Sequence, residues 1–388
     1  MSISEAVRVV AENLAACDAL SDLISPSLLP ITFDVYIGDS MLAIRKTKAG
    51  PGGLSVDDVA APKEAHSTDV LVKVEAAGIC GTDLLIYKWG EFAKRMKLPT
   101  ILGHEVSGVI EQVGSDVKGL RPGMRVSLES HLPCGTCYTC RRGWAHVCPK
   151  TRYPGVDFDG GFASFVVVPE SVCWPVPCGI PPLQAAMMEP FGLAVHASLE
   201  GSGVSGLNVL VSGCGPIGLM NIAAAKALGA SKVIAPDIHP LRLTAAAKMG
   251  ADECINATEE SVYKTVRSLL GERGVDVAID YSGQAAALKE LIQSITHGGE
   301  LRLMGVPSHD ILLNLEEWLF KGLIVRGLHG RRLYERWERS TSLLVTGRVD
   351  LSSLVSHRLP LSAAEDAFEM ALNGQSLKIL FEPNGSCI

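Results

Sequence analysis

Six residues, Gly213-Cys-Gly-Pro-Ile-Gly218, constrain this chain more than any other stretch. They follow the apolar triplet Val209-Leu-Val211 and precede residues 221–228, which read as helix. Glycines Gly213, Gly215 and Gly218 between a strand and a helix ask for a tight turn, a backbone that a ligand can approach, and close helix–strand packing. The helix N-terminus offers its orphan N–H groups to a pyrophosphate. The alternation then continues: Val233-Ile-Ala235 as strand, residues 241–249 as helix, and residues 275–279 and 301–304 as strands. Such a pattern folds into a doubly wound parallel sheet. Asp237 ends the second strand. A carboxylate there accepts hydrogen bonds from ribose hydroxyls and repels a 2′-phosphate, so NAD is expected over NADP. Arg242, in the next helix, suits stacking on adenine; the alternative is a solvated helix charge.

Upstream the texture differs. Val70-Leu-Val-Lys-Val-Glu-Ala76 reads as a strand, and short strands punctuated by Gly and Pro run to about residue 175, as in an all-β barrel. Beyond about residue 334 helix and strand mix again. Residues 3–24 carry an apolar stripe at steps of three and four, ended by Pro26 and Pro30, and read as a helical extension. We therefore expect an extension over 1–40, a β-barrel domain over 41–190 completed by 336–388, and a dinucleotide-binding domain over 191–335. The formal net charge of -7 argues against general nucleic-acid binding. No stretch is apolar enough to span a bilayer, and the N-terminus shows neither an export signal nor an Arg-rich transit pattern.

Four of the eleven cysteines crowd into Cys134-x2-Cys137-x2-Cys140-x7-Cys148. Four thiolates at this spacing can close a tetrahedron around one zinc and leave no open position, which makes that zinc structural. Clustered rather than scattered cysteines favour a cytoplasmic location. A second constellation is Cys80, in Gly78-Ile-Cys-Gly-Thr-Asp83, with His104 and Glu105, in Gly103-His-Glu-x2-Gly108. Thiolate, imidazole and carboxylate suit a catalytic zinc with one position left for water or substrate. Glu189, in Met188-Glu-Pro-Phe-Gly192, can add a further carboxylate to this metal; the alternative is an N-cap or surface acid.

These constellations, in this order, resemble the zinc-containing medium-chain alcohol dehydrogenases over about residues 41–384. Ile86-Tyr87-x-Trp89, His297-Gly-Gly299, Gly327-Leu-His-Gly-Arg331 and Gly374-Gln-Ser376 resemble the threonine dehydrogenase branch, with sorbitol-type polyol dehydrogenases next. The resemblance implies an α/β protein: a GroES-like β-barrel catalytic domain plus a Rossmann NAD-binding domain, with the active site between them. It implies two zinc ions per chain, a small-molecule alcohol substrate and a homotetramer. It makes Thr82 the hydroxyl that starts the proton relay and places Glu189 beside the catalytic metal. Ile217, Asp237 and Arg242 become NAD contacts, and Met304-Gly305-Val306 and Leu328-His329 the segments that hold the nicotinamide end. His131 becomes a substrate-side histidine; the alternative is a loop histidine.

Three positions depart from that branch. Leu85 stands where a histidine follows the relay threonine, Leu193 where an asparagine follows Pro-Phe-Gly, and His329 where the late nicotinamide segment carries tyrosine. The expected reaction is hydride transfer from a secondary alcohol to NAD: L-threonine to 2-amino-3-ketobutyrate, or alternatively a polyol to a ketose. A non-catalytic NAD-binding protein on the same fold would be expected to lose metal ligands, and Cys80, His104 and Glu105 are all present.

Overall fold

The computed structural model describes residues 39–62 and 66–385. The helix expected over residues 3–24 lies outside the described residues.

Val209, Leu210 and Val211 have no exposed surface, as a strand covered on both faces requires. Their strand, Asn208–Ser212, sits inside a six-stranded sheet. The spatial order is Glu253–Asn256, Lys232–Asp237, Asn208–Ser212, Val275–Asp280, Ile295–Leu303, Ile324–Gly327. Every pairing is parallel. From Asn208–Ser212 the chain winds outward through two strands, then returns to the other side at Val275–Asp280. That reversal opens a crevice at the carboxyl ends of the two central strands, where α/β sheets bind ligands. The helix Pro216–Ala227 begins with proline at its first turn, where the missing N–H costs no helical bond.

The second unit is built on Asp69–Gly78, whose Val70, Val72, Val74 and Ala76 are fully buried. It pairs antiparallel with Glu105–Val113 along one edge and with Phe165–Pro169 and Lys378–Phe381 along the other. A smaller antiparallel sheet of Leu54–Ala60, Ser40–Lys46 and Thr100–Ile101 packs across it around Ile44, Leu102 and Phe162. The late strand Lys378–Phe381 thus returns from the far end of the sequence into this sheet.

Helix Met188–Leu199 connects the two units. It lies along Pro216–Ala227, where Asn221 Nδ2 donates to Ala194 O and Ser198 Oγ, both at 2.8 Å. Arg302, fully buried, donates to Ala197 O at 2.7 Å and to Gly203 O at 2.9 Å, pinning that helix's C-terminal end to the parallel sheet.

Candidate active site

Strand register assembles the first cluster. Gly78 pairs with Glu105, so Cys80, two residues on, arrives beside His104 and Glu105. The ligand atoms of Cys80, His104 and Glu105 lie within 4.8 Å of one another. Gly78 is required here: a Cβ on it would lie 2.5 Å from Glu105 Oε2. Cys80 caps helix Gly81–Tyr87, and its N–H donates to Asp83 Oδ2 at 2.9 Å. Asp83 Oδ1 is buried with no hydrogen-bond partner, 3.8 Å from His104 Nδ1.

The electrostatics of this pocket fit a cation. Burial alone would lower the His104 pKa, but Asp83, Cys80 and Glu189 together raise it well above the usual imidazole range. Burial pushes Glu105 up to about 7, although the buried Lys378 ammonium, which donates to Glu105 Oε2, opposes the rise. The donors of the cluster are those zinc takes in open catalytic sites. Thr82, the half-buried residue after Gly81, lies on the same helix turn as Asp83, whereas Leu85 is 47% exposed.

The second cluster is the four-cysteine lobe. Sγ separations are 3.5 Å for Cys137–Cys140, 3.6 Å for Cys134–Cys148 and 3.7 Å for Cys137–Cys148. These approach the roughly 3.8 Å edge of a tetrahedron with Zn–S near 2.3 Å. Backbone N–H groups of Thr136 and Cys137 lower the Cys134 pKa, while burial and neighbouring sulfurs raise that of Cys140. Four thiolates here need a cation between them.

At the crevice, Gly213 adopts φ +87°, and a Cβ on Gly218 would lie 1.9 Å from Gly213 O, so both glycines are required. A Cβ on Gly215 would meet nothing within 4 Å, which leaves its backbone open to a ligand. This cradle fits a pyrophosphate; Ile217 lies half-buried in the first turn behind it. Asp237 accepts from Cys214 N at 2.7 Å and from His239 N at 2.8 Å, with Arg242 Nη1 at 4.0 Å. Met304 N and Gly305 N both donate to Asp280 O, at 3.0 and 2.9 Å, which turns Met304-Gly305-Val306 over the crevice; Val306 is exposed. Leu328 N donates to Leu303 O at 2.8 Å, carrying His329 alongside.

Glu189 stands differently from the expectation. It is not among the three converging donors. Its Oε1 accepts from Arg331 Nη2 and Ser130 Oγ, and it acts on His104 and Glu105 only through charge. Arg331 is fully buried and also donates to Glu129 Oε2 at 2.9 Å. Glu129 accepts further from Trp337 Nε1 at 2.7 Å and from His131 Nδ1 at 2.9 Å. Burial works against its ionisation, but Arg331, His131 and Trp337 outweigh that and hold it at about 2. Glu129, His131 and Glu189 also bring their ligand atoms within 4.8 Å of each other, yet Arg331 already supplies the cation there.

Sequence reasoning had not singled out Glu129, Arg331, Lys378 or Asp83. A signal was present for Arg331: it ends the phrase Gly327-Leu-His-Gly-Arg331, and Gly192 has no Cβ where Arg331 Cδ passes 2.5 Å away.

The alcohol dehydrogenase GroES-like domain matches residues 66–178, and the zinc-binding dehydrogenase domain matches residues 216–346. The chain belongs to the zinc-binding alcohol dehydrogenase family, whose members are oxidoreductases using zinc and a nicotinamide cofactor. Within that family it is 41% identical over 339 residues to the L-threonine 3-dehydrogenase of Bacillus licheniformis, covering 87% of this chain and 97% of that protein. It is 42% identical over 348 residues to the L-threonine 3-dehydrogenase of Pyrococcus horikoshii, covering 89% and 99%. Among solved structures, alcohol dehydrogenase TADH from Thermus sp. ATN1 superposes with a TM-score of 0.81 at 33% identity, covering 88% of this chain and 99% of that one.

Proposed function

We propose that this chain oxidises the secondary hydroxyl of L-threonine, giving 2-amino-3-ketobutyrate and NADH. The observation that carries the reading is the convergence of Cys80, His104 and Glu105 in a chain about two-fifths identical to L-threonine 3-dehydrogenases over nearly its full length. Cys80, His104 and Glu105 hold a catalytic zinc, and Cys134, Cys137, Cys140 and Cys148 hold a structural one. Bound zinc supplies the Lewis acidity that makes an alcohol proton labile near neutral pH. Asp83 orients His104 and fixes the Cys80 backbone, as supporting groups of metal ligands commonly do. Lys378 balances the Glu105 charge. Thr82 Oγ1 receives the hydroxyl proton at the start of its exit. Gly213, Gly215 and Gly218 seat the pyrophosphate, Asp237 takes the ribose hydroxyls and selects NAD, and Met304–Val306 with Leu328 and His329 position the nicotinamide.

Among the described residues no helix is long and apolar enough to cross a membrane. We place the protein in the cytoplasm and infer a homotetramer. Among the described residues the edge strand Ile324–Gly327 has no neighbour on its outer side, and the adjoining helix exposes Leu319 and Phe320, so a second copy can continue the sheet. Light scattering after size exclusion should give four chains. A panel of L-threonine, sorbitol, xylitol and simple secondary alcohols, followed by NADH absorbance, tests the activity. L-Threonine should give the highest kcat/KM, and a polyol preferred over it would overturn the substrate assignment.

A further inference from the structure

His329 departs from the tyrosine of the related branch, and across the cleft it meets Tyr153. Two backbone bonds place that tyrosine. Leu132 N donates to Arg152 O at 2.9 Å, and Arg152 N to Leu132 O at 3.0 Å. This antiparallel bridge sets the residues on either side of it, His131 and Tyr153, next to each other, with ring centroids 5.1 Å apart. The chain then turns back. Asp157 N donates to Tyr153 O at 2.9 Å, and Asp157 Oδ2 accepts from Tyr153 N at 2.8 Å. Inside the turn Gly155 has φ +77°, and a Cβ on it would lie 2.8 Å from Gly103 N. The turn therefore rests on the backbone that leads directly into His104. From the other side, Ser130, the neighbour of His131, donates to Glu189, whose helix packs against the strand that begins at Glu105.

Tyr153 is fixed on its remaining faces. Phe92 meets it edge-on at 5.4 Å, and the Arg95 guanidinium lies over both rings, 5.5 Å from each centroid. Both oxygens of Asp157 hold Arg95 at 2.7 Å. Across the cleft, His329 Nε2 lies 3.4 Å from Tyr153 Oη, and the His329 ring meets that of His131 edge-on at 5.5 Å. Centroid separations of roughly 5 to 6 Å are packing contacts that admit no further group between the rings. Tyr153 belongs to the antiparallel unit, whereas His329 follows Leu328, which is bonded to the parallel sheet at Leu303. The rings thus meet across the two units and close one end of the space between the Cys80–His104–Glu105 cluster and the nicotinamide segment.

We propose that Tyr153 and His329 form the wall that limits the size of the alcohol: a methyl or other short substituent on the carbinol carbon fits behind it, and an aryl or long alkyl substituent does not. The inference rests on the reading of the chain as a dehydrogenase of secondary alcohols, and it deepens that reading by naming the class of alcohol. L-Threonine, with a methyl group on its carbinol carbon, falls within the class. The barrier is the phenol ring rather than its hydroxyl, because Phe92, Arg95 and His131 all pack on the ring. Tyr153 carries the larger share, since it is packed on three sides while His329 is exposed.

The test uses the full-length, zinc-loaded protein and the ratio of kcat/KM for 1-phenylethanol to that for 2-butanol, followed by NADH absorbance. The ratio cancels any general loss of activity or of cofactor binding, which is what a purely structural role would produce. Wild type should favour 2-butanol. Tyr153→Ala should raise the ratio by about 10-fold or more, the scale on which an apolar pocket discriminates by size. His329→Ala should raise it by less. Tyr153→Phe keeps the ring and should leave the ratio as in wild type. Tyr153→Leu, which preserves apolar packing against Phe92, should move the ratio in the same direction as Tyr153→Ala and guards against a misfolded alanine variant. A wild type that favours 1-phenylethanol overturns the proposal. So does a ratio unmoved by Tyr153→Leu and His329→Ala in folded protein, or a Tyr153→Phe ratio equal to that of Tyr153→Ala. Failure of every secondary alcohol to reduce NAD overturns the dehydrogenase reading and the proposal with it. Turnover with an unmoved ratio overturns the proposal alone.

Discussion

The two clusters proposed to hold zinc are built from overlapping donor types in opposite ways. The lobe of Cys134, Cys137, Cys140 and Cys148 is local, drawn from fifteen consecutive residues, and complete in itself. The cluster of Cys80, His104 and Glu105 is assembled across strands and depends on residues from the far end of the chain, notably Lys378. Four thiolates close a coordination shell, whereas three mixed donors leave a position free. With zinc bound, the first arrangement would store folding free energy and the second would leave a reactive position open. The contrast teaches that a metal site's task can be read from what lies behind its ligands: backbone N–H groups in the lobe, charged side chains in the cleft.

The sharpest way to break this contrast is to remove one sulfur from each cluster. Cys80→Ser should abolish turnover while the thermal melting temperature stays close to wild type. Cys137→Ser should instead lower the melting temperature and promote aggregation, because metal binding at a closed site is folding free energy. Equal effects of the two changes on stability would erase the distinction. Next in size is Thr82→Val, which should cost about 10² to 10⁴ in kcat with KM little changed. Near-wild-type kcat across the pH range would remove Thr82 from the proton path. Asp83→Asn and Lys378→Met, behind the open cluster, should each lower zinc affinity or activity by about 10- to 100-fold. Metal titration with a chromogenic chelator reads the affinity directly, and unchanged affinity in both variants would mean that the charges behind the ligands do not matter.

Much of this was legible because its signals are local. In Gly213-Cys-Gly-Pro-Ile-Gly218 the first glycine is dictated by a positive φ and the last by the carbonyl of Gly213, five residues away. The cysteine lobe is legible for the same reason. The Glu129–Arg331–Glu189 network was not, since its members come from a strand end, a loop and a helix separated by up to 202 residues. Nothing in the spacing of those residues says that one arginine will bridge two buried carboxylates. The sequence pattern makes Glu189 a further carboxylate on the catalytic metal, whereas in the structure Arg331 and Ser130 hold its oxygen and its charge alone reaches His104. Lys378 was invisible for the same reason: it reaches Glu105 only because Lys378–Phe381 pairs with Asp69–Gly78.

A smaller effect separates the two regions by pH. His196 is held at about 3 by burial, aided by Arg336, and His146, beside the cysteine lobe, at about 4 by burial and by His131. Both are depressed from 6.5, so the native state resists their protonation. Their contribution to stability is complete above the unfolded value and is lost as pH falls from there toward 4 and 3. Glu129, depressed from 4.5 to about 2, contributes stability that is lost only below 4.5. Thermal melts against pH should therefore fall in two stages, the histidine stage first, and His196→Gln should flatten that first stage alone. A single transition below pH about 4.5 would contradict the assignment.

We propose that one chain carries two zinc ions with different tasks. Elemental analysis of wild-type and Cys80→Ser protein, purified without chelators, tests it most directly. Two zinc ions per wild-type chain, and one per chain in a folded Cys80→Ser variant, is the predicted result. One zinc or none in the wild type, or loss of both metals with Cys80→Ser, would contradict it.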